Sequence, residues 1–252
     1  MRTYKLTVSY DGTRYQGWQK QPSTDNTIQG ILEKAIEKTA GYPVEVNGSG
    51  RTDAGVHAKG QTASICLSGK VSETKFQESL NLKLPEDIRI LRTELMKNGF
   101  HARYSASGKC YEYHIDTKEK QGVFGRRYSF HYPKNLDQTS MKKAAEILTG
   151  THDFGAFTDK KEEKSTRRTI YDIMIAGQGG EVRIEYRGNG FLYHMVRILT
   201  GTLLEVGMGT RRIESVTIAL EAKDRTKAGF LAPARGLFLD EVYYKEKSWK
   251  EE

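Results

Sequence analysis

Tyr4, Leu6, Val8 and Tyr10 fall on one side of an extended chain, and this period of two predicts a half-buried strand over residues 3–10 that Asp11-Gly12 turns outward. The period then changes. Ile28, Ile31, Leu32, Ala35 and Ile36 line one stripe of a helix expected over 27–40, with Asn26 as its cap and Gly41 as its stop. Val44 and Val46 predict a short strand running into a glycine-rich segment, and a further strand is expected at 61–67. A helix near 73–83 follows, with Ser72 as cap and Phe76 and Leu80 inward. Leu84-Pro85 closes it, and Ile88 and Ile90 mark the next strand. The order β-α-β-β-α-β is that of a ferredoxin-like unit.

Lys109 to Ile115 reads as another strand, with Tyr111, Tyr113 and Ile115 on one face and Cys110, Glu112 and His114 on the other. Residues 117–136 lack a clear period and contain Lys118-Glu119-Lys120, Arg126-Arg127 and Pro133, as a connection would. A helix is expected over 138–148, ended by Gly150, and Asp159 to Lys164 is a solvated charge run. Strands near 168–175 and 182–187 flank Gly177-Gln178-Gly179-Gly180, which suggests a hairpin. Helices over 191–206 and 213–222 and a strand through Leu237, Leu239 and Val242 complete the pattern. An α+β protein follows, with two halves (1–117 and 137–252), a connection over 118–136 and a cleft between the halves.

Charge adds a partner to this picture. The chain has 252 residues, enough for one large core or two smaller ones, and a formal net charge of +8. That excess favours a polyanion, nucleic acid before a membrane surface. Cys66 and Cys110 make neither a disulfide framework nor a zinc site, and read as small buried hydrophobes in a reducing compartment. No run is long and apolar enough to cross a bilayer, and Met1 to Leu6 carries no apolar signal region, so a cytoplasmic location is expected.

The candidate chemistry centres on Gly48-Ser49-Gly50-Arg51-Thr52-Asp53-Ala54-Gly55-Val56-His57-Ala58. One carboxylate stands among glycines, which permit close approach of a ligand to the main chain, and beside a cation that would favour its charged form. Asp53 is either the cap of a turn or a working carboxylate. His57 reads as a hydrogen-bonded structural residue or as a phosphate or ribose contact. Tyr111 packs in a core or stacks on an unpaired base. Gly188-Asn189-Gly190 before a helix is a weak phosphate signal, since the third glycine of a dinucleotide fingerprint is missing. Arg197 sits beside the apolar stripe, as a solvated charge or as the partner of a catalytic carboxylate. Residues 11–21, Phe100-His101-Ala102-Arg103-Tyr104 and Arg167-Arg168 mix aromatic, polar and cationic side chains, as RNA-contacting surfaces do.

Gly50-Arg51-Thr52-Asp53-Ala54-Gly55-Val56-His57-Ala58 resembles the signature of the TruA family of tRNA pseudouridine synthases, and the resemblance extends over nearly the whole chain. Tyr10-Asp11-Gly12-Thr13 with Gly17-Trp18-Gln19, Leu84-Pro85-Glu86-Asp87-Ile88, Phe100-His101-Ala102-Arg103 and Lys109-x-Tyr111-x-Tyr113 match the family's first half. Leu148 to Phe154, Gly190 to Arg197 and Ala232-Pro233-Ala234-Arg235-Gly236-Leu237 match its second.

The resemblance implies a pseudouridine synthase fold: two ferredoxin-like halves sharing a continuous mixed, mostly antiparallel sheet around a central cleft. It implies isomerisation of uridine to pseudouridine in tRNA, at positions 38 to 40 of the anticodon arm, by a homodimer with no cofactor and no metal. By position, Asp53 matches the catalytic aspartate, Tyr111 the tyrosine that stacks on the base and is a candidate to take the C5 proton, and Arg197 the arginine that pairs with the aspartate. Arg51 and His57 match RNA or loop contacts. Two other classes stand beside this reading. One is a non-catalytic RNA-binding module or RNA chaperone. The other is an aspartate-dependent nucleotide hydrolase, which would need a metal or a second carboxylate in the same cluster.

Overall fold

The computed structural model describes residues 1–160 and 165–244, so most of the charge run expected over 159–164 lies outside the described residues. The chain is α+β, and its contacts divide it into two compact units: residues 1–107 with 238–244, and Gly108–Leu237. This grouping differs from the expected halves at both ends. Strand Gly108–Asp116 joins the second unit because it pairs along its full length with a strand there, while residues 238–244 return to the first.

The first unit follows the expected order: β1 (Arg2–Tyr10), α1 (Ile28–Ala40), β2 (Asn47–Gly48), β3 (His57–Leu67), α2 (Glu73–Asn81) and β4 (Ile88–Leu95). β1 lies between β3 and β4, antiparallel to both, and β2 pairs with β3, giving the ferredoxin-like strand order β4-β1-β3-β2. Tyr4, Leu6, Val8 and Tyr10 all point into the core. Two local expectations shift. Thr27, not Asn26, caps α1 through a bond from the Gly30 N–H, while the Asn26 amide donates to the Arg14 carbonyl. Val44 and Val46 are buried but lie outside the ladder. The Gln29 amide donates to the Val46 carbonyl and the Val46 N–H donates to Glu33, so side chains of α1 take the bonds a strand partner would.

The second unit contains β5 (Gly108–Asp116), β6 (Phe130–His131), α3 (Gln138–Leu148), β7 (Gly150–Asp153), β8 (Arg167–Gln178), β9 (Glu181–Gly188), α4 (Met195–Gly207) and α5 (Glu214–Ala222). β5, β9, β8 and β7 run antiparallel in that order, with β6 parallel on β5, and β10 (Leu237–Tyr243) follows. α4 begins four residues later than its apolar stripe predicts. His194 adopts the left-handed region at φ +61°, and the first helical bond runs from the Ile198 N–H to its carbonyl at 3.0 Å. β6 and β7 are too short to show a period and carried no sequence signal. Among the described residues no helix is long and apolar enough to cross a membrane.

Candidate active site

Asp53 lies on the link between β2 and β3, and that link is fastened on both sides of it. Upstream, the Thr52 and Tyr10 hydroxyls pair at 2.8 Å inside the core, and the Thr52 carbonyl accepts the Trp18 N–H at 3.0 Å. Burial pushes the pKa of the Tyr10 hydroxyl well above the ordinary tyrosine range, so it stays neutral within this pair. Downstream, the Val56 N–H closes a turn on the Asp53 carbonyl at 3.1 Å. Gly55 occupies the third position of that turn at φ +77°, where a side chain would be strained. The carboxylate of Asp53 therefore stands half-buried on a backbone held on both sides.

Residues 11–18 form the bed of this link. Gly12 passes so close beneath it that an added Cβ would lie 1.9 Å from the Val56 carbonyl oxygen. The Gly12 N–H donates to Nδ1 of His57 at 3.0 Å, and the imidazole stacks on Phe238 with ring centres 4.7 Å apart. Nδ1 also stands 3.1 Å from Asp11 Oδ1, but one nitrogen cannot serve both neighbours, because a proton facing Asp11 would occupy the lone pair that Gly12 needs. The Gly12 N–H is aimed at Nδ1, so that nitrogen accepts the bond from the bed. At 1% exposure the His57 side chain lies buried, bonded to the bed through Gly12.

Arg51 bonds within the first unit. Its exposed guanidinium donates through Nε to Gln19 at 3.0 Å, and Gln19 continues to Gln29 at 2.6 Å. Arg51, Gln19 and Gln29 thus form a polar row that runs from the surface inward.

The second unit holds Tyr111 and Arg197. Tyr111 is 7% exposed in β5, opposite Tyr186 of β9 and edge-on to Phe191 at 5.2 Å. Two residues on, the Tyr113 hydroxyl donates to the Pro233 carbonyl at 2.9 Å. Burial raises its pKa, while the nearby charges of Arg197 and Arg235 partly offset that rise. Arg197 stands in the first turn of α4, locked to Ala232 by two bonds: Nε donates to the Ala232 carbonyl at 2.7 Å, and the Arg197 carbonyl accepts the Ala232 N–H at 3.2 Å. Segment 228–232 approaches α4 closely enough for this because Gly201 lacks a side chain; a Cβ there would meet the Phe230 carbonyl oxygen at 1.8 Å. The signal for that contact was available as an isolated glycine within an apolar helical stripe.

One cluster was not foreseen. Asp159 accepts from His194 Nδ1 and from Arg225 Nε, each at 2.6 Å, and so braces the left-handed residue that starts α4. Desolvation raises the Asp159 pKa, but the bonds from His194 and Arg225 outweigh it and hold the carboxyl below its ordinary value. Asp153, bonded by the Thr166 hydroxyl and by Lys223, is depressed too. A depressed carboxyl stabilises the fold above its unfolded pKa, and that contribution disappears as pH falls through the folded value. Asp159→Asn should therefore melt below the native chain at neutral pH, and the gap should close as the pH falls below the ordinary carboxylate range. Calorimetry across that range checks it, and a gap that widens on acidification would contradict the assignment.

Against known proteins, the family described as tRNA pseudouridine synthase matches residues 6–105 and 144–245. This span contains Asp53 and Arg197 but not Tyr111. The chain is 44% identical over 245 residues to tRNA pseudouridine synthase A of Bacillus sp. (strain KSM-64), covering 97% of this chain and 100% of the relative. It is 46% identical to tRNA pseudouridine synthase A 2 of Clostridium tetani, covering 96% and 99%. Among solved structures, a chain of a Cbf5-Nop10-Gar1 complex aligns with 80% of this chain and 45% of its own at 12% identity, with a TM-score of 0.37, too slight a likeness to bear on the fold.

Proposed function

Because the chain belongs to the tRNA pseudouridine synthase family, we propose that it isomerises uridine in tRNA with Asp53 as its catalytic carboxylate. The observation that carries this is the double fastening of the link around Asp53, between a buried hydroxyl pair and a glycine turn. A carboxylate that merely ended a turn would need no such bed.

The reaction conserves atoms and electrons. The C1′–N1 bond of the nucleotide breaks, the uracil turns over, and C5 bonds to C1′. The C5 proton leaves and N1 takes one up. Asp53 enters by adding to C6, by adding at C1′, or by removing the C2′ proton. Each route requires a charged carboxylate in a site dried by an extruded nucleotide, whose unstacking costs a few kcal/mol. Arg197 is the cation assigned to it. Its guanidinium is held by the bond from Nε to the Ala232 carbonyl, and its backbone by the bond from the Ala232 N–H.

Tyr111 is assigned to the extruded base as stacking platform and as acceptor of the C5 proton. Tyr111→Phe keeps the ring and removes the hydroxyl. It should bind tRNA as the native chain does and lose turnover by about two to four orders of magnitude, the usual worth of a positioned acid–base group. Single-turnover kinetics measures this, and a native rate would restrict Tyr111 to packing and stacking.

On the resemblance of its motifs, the targets are positions 38 to 40 of the anticodon arm and the working form is a homodimer in the cytoplasm. Mapping pseudouridine in tRNA after incubation with the purified chain tests activity and target position together. A chain that binds tRNA but leaves every uridine unchanged would replace this reading with that of a non-catalytic RNA-binding module.

A further inference from the structure

The link between β5 and β6 carries surface features that neither the fold nor the candidate active site uses. Its base is closed. Phe130 and His131 pair with Ile115 and Asp116, and the His131 ring bonds the Lys118 carbonyl at 2.9 Å. The Tyr132 N–H donates to the Asp116 carbonyl at 2.8 Å. Above that base the tip is ordered by its own bonds: the Tyr128 N–H and the Ser129 hydroxyl both donate to the Gly125 carbonyl, at 2.9 and 3.2 Å, and the Arg126 guanidinium donates to the Val123 carbonyl. This defined tip presents Val123 at 66% and Phe124 at 94% exposure.

Two further observations indicate what it meets. Residues 117–134 carry Lys118, Lys120, Arg126, Arg127 and Lys134 against one carboxylate, Glu119, which is half of the chain's net charge of +8. Two copies of so cationic a tip would repel each other, whereas a polyanion complements it. Gly122 and Gly125 flank the apolar pair although the fold requires glycine at neither. Neither has a positive φ, and a Cβ on either would meet no atom. Glycine without an internal need leaves room for another molecule to reach the backbone.

We propose that residues 118–128 are a tRNA-docking element, in which Phe124 stacks on an unpaired base while Lys120, Arg126 and Arg127 hold flanking phosphates. This rests on the reading of tRNA as substrate and adds to it a contact surface separate from the residues assigned to chemistry.

The test measures tRNA affinity of the full chain over a salt series, with pseudouridine formation by the native chain recorded in parallel. Phe124→Ala should weaken binding about tenfold, the order of one lost base stack. Phe124→Trp should restore it and Phe124→Leu should not, because leucine keeps apolar contact but cannot stack. Arg126→Ala with Arg127→Ala should lower the dependence of log affinity on log salt by about 1 to 2, as two lost phosphate contacts predict. Unchanged melting temperatures would exclude misfolding, and a variant that melts early is replaced by the Trp and Leu comparison in its folded range. Native affinity and salt slope in all variants would overturn the proposal. So would rescue by leucine, or a change of oligomeric state in sedimentation with affinity per chain unaltered, either of which would make the tip a protein contact. Absence of pseudouridine from the native chain would instead overturn the reading of function.

Discussion

Asp53→Asn should abolish pseudouridine formation while leaving tRNA binding within about threefold of native. The substitution keeps size and shape and removes the charge. The Thr52–Tyr10 hydroxyl pair, the Trp18 N–H bond to the Thr52 carbonyl and the Val56 N–H bond to the Asp53 carbonyl use no atom of the Asp53 carboxylate, so an amide at this position leaves those bonds intact. Every route open to Asp53 needs either a nucleophilic oxygen or a base, and an amide is neither. The expected loss is that of a nucleophile, about six orders of magnitude where a covalent route is followed. Equilibrium binding beside a single-turnover assay separates the two quantities. An Asp53→Asn chain that turns over would remove Asp53 from the chemistry.

Gly12→Ala should be nearly as damaging by a different route. Its methyl group would lie 1.9 Å from the Val56 carbonyl oxygen, a backbone atom that cannot rotate away. Either the bed or the link must move. Movement of the bed stretches the bond from Gly12 to His57, and movement of the link opens the turn that carries Asp53. Overpacking of this kind costs about 1–3 kcal/mol or more, and a displacement of about 1 Å at a reacting group costs about a hundredfold in rate. The expected result is a chain that still folds, melts lower, and loses more activity than its loss of folded population explains. Native activity in a Gly12→Ala chain would show that the link tolerates movement and that its fastening is not part of the site.

Sequence periodicity located the elements whose apolar faces repeat. β1, α1, α2, α3, α5 and the β8–β9 hairpin appear within a few residues of their expected bounds, because each buries one face and its spacing states which. Elements defined by their partners escaped. β2 has two residues, and the strand expected at Val44 and Val46 is satisfied by side chains of α1 instead. The delayed start of α4 depends on a left-handed His194 braced from residues 159 and 225, a contact between distant positions that no local pattern encodes. The same holds at the site. Glycines around Asp53 announced an unusual backbone, but only the structure shows that Arg51 bonds Gln19 and that His57 is sealed inside.

The return of residues 238–244 to the first unit affects how the chain can be made. His57 and Ala58 of β3 are completed by Phe238 and Leu239, the Ser107 N–H by the Tyr243 carbonyl, and the Ala102 carbonyl by the Tyr244 hydroxyl. On the ribosome, the first hundred residues emerge well before these partners, at about 5–20 residues per second. For roughly ten seconds or more part of the β3 edge and the stacking face of His57 wait uncovered. A strand edge left open in that way invites pairing with other chains. The bed beneath Asp53 therefore reaches its final form only after most of the polypeptide has been synthesised, and a fragment ending at Ser107 would lack the ring against which His57 is set.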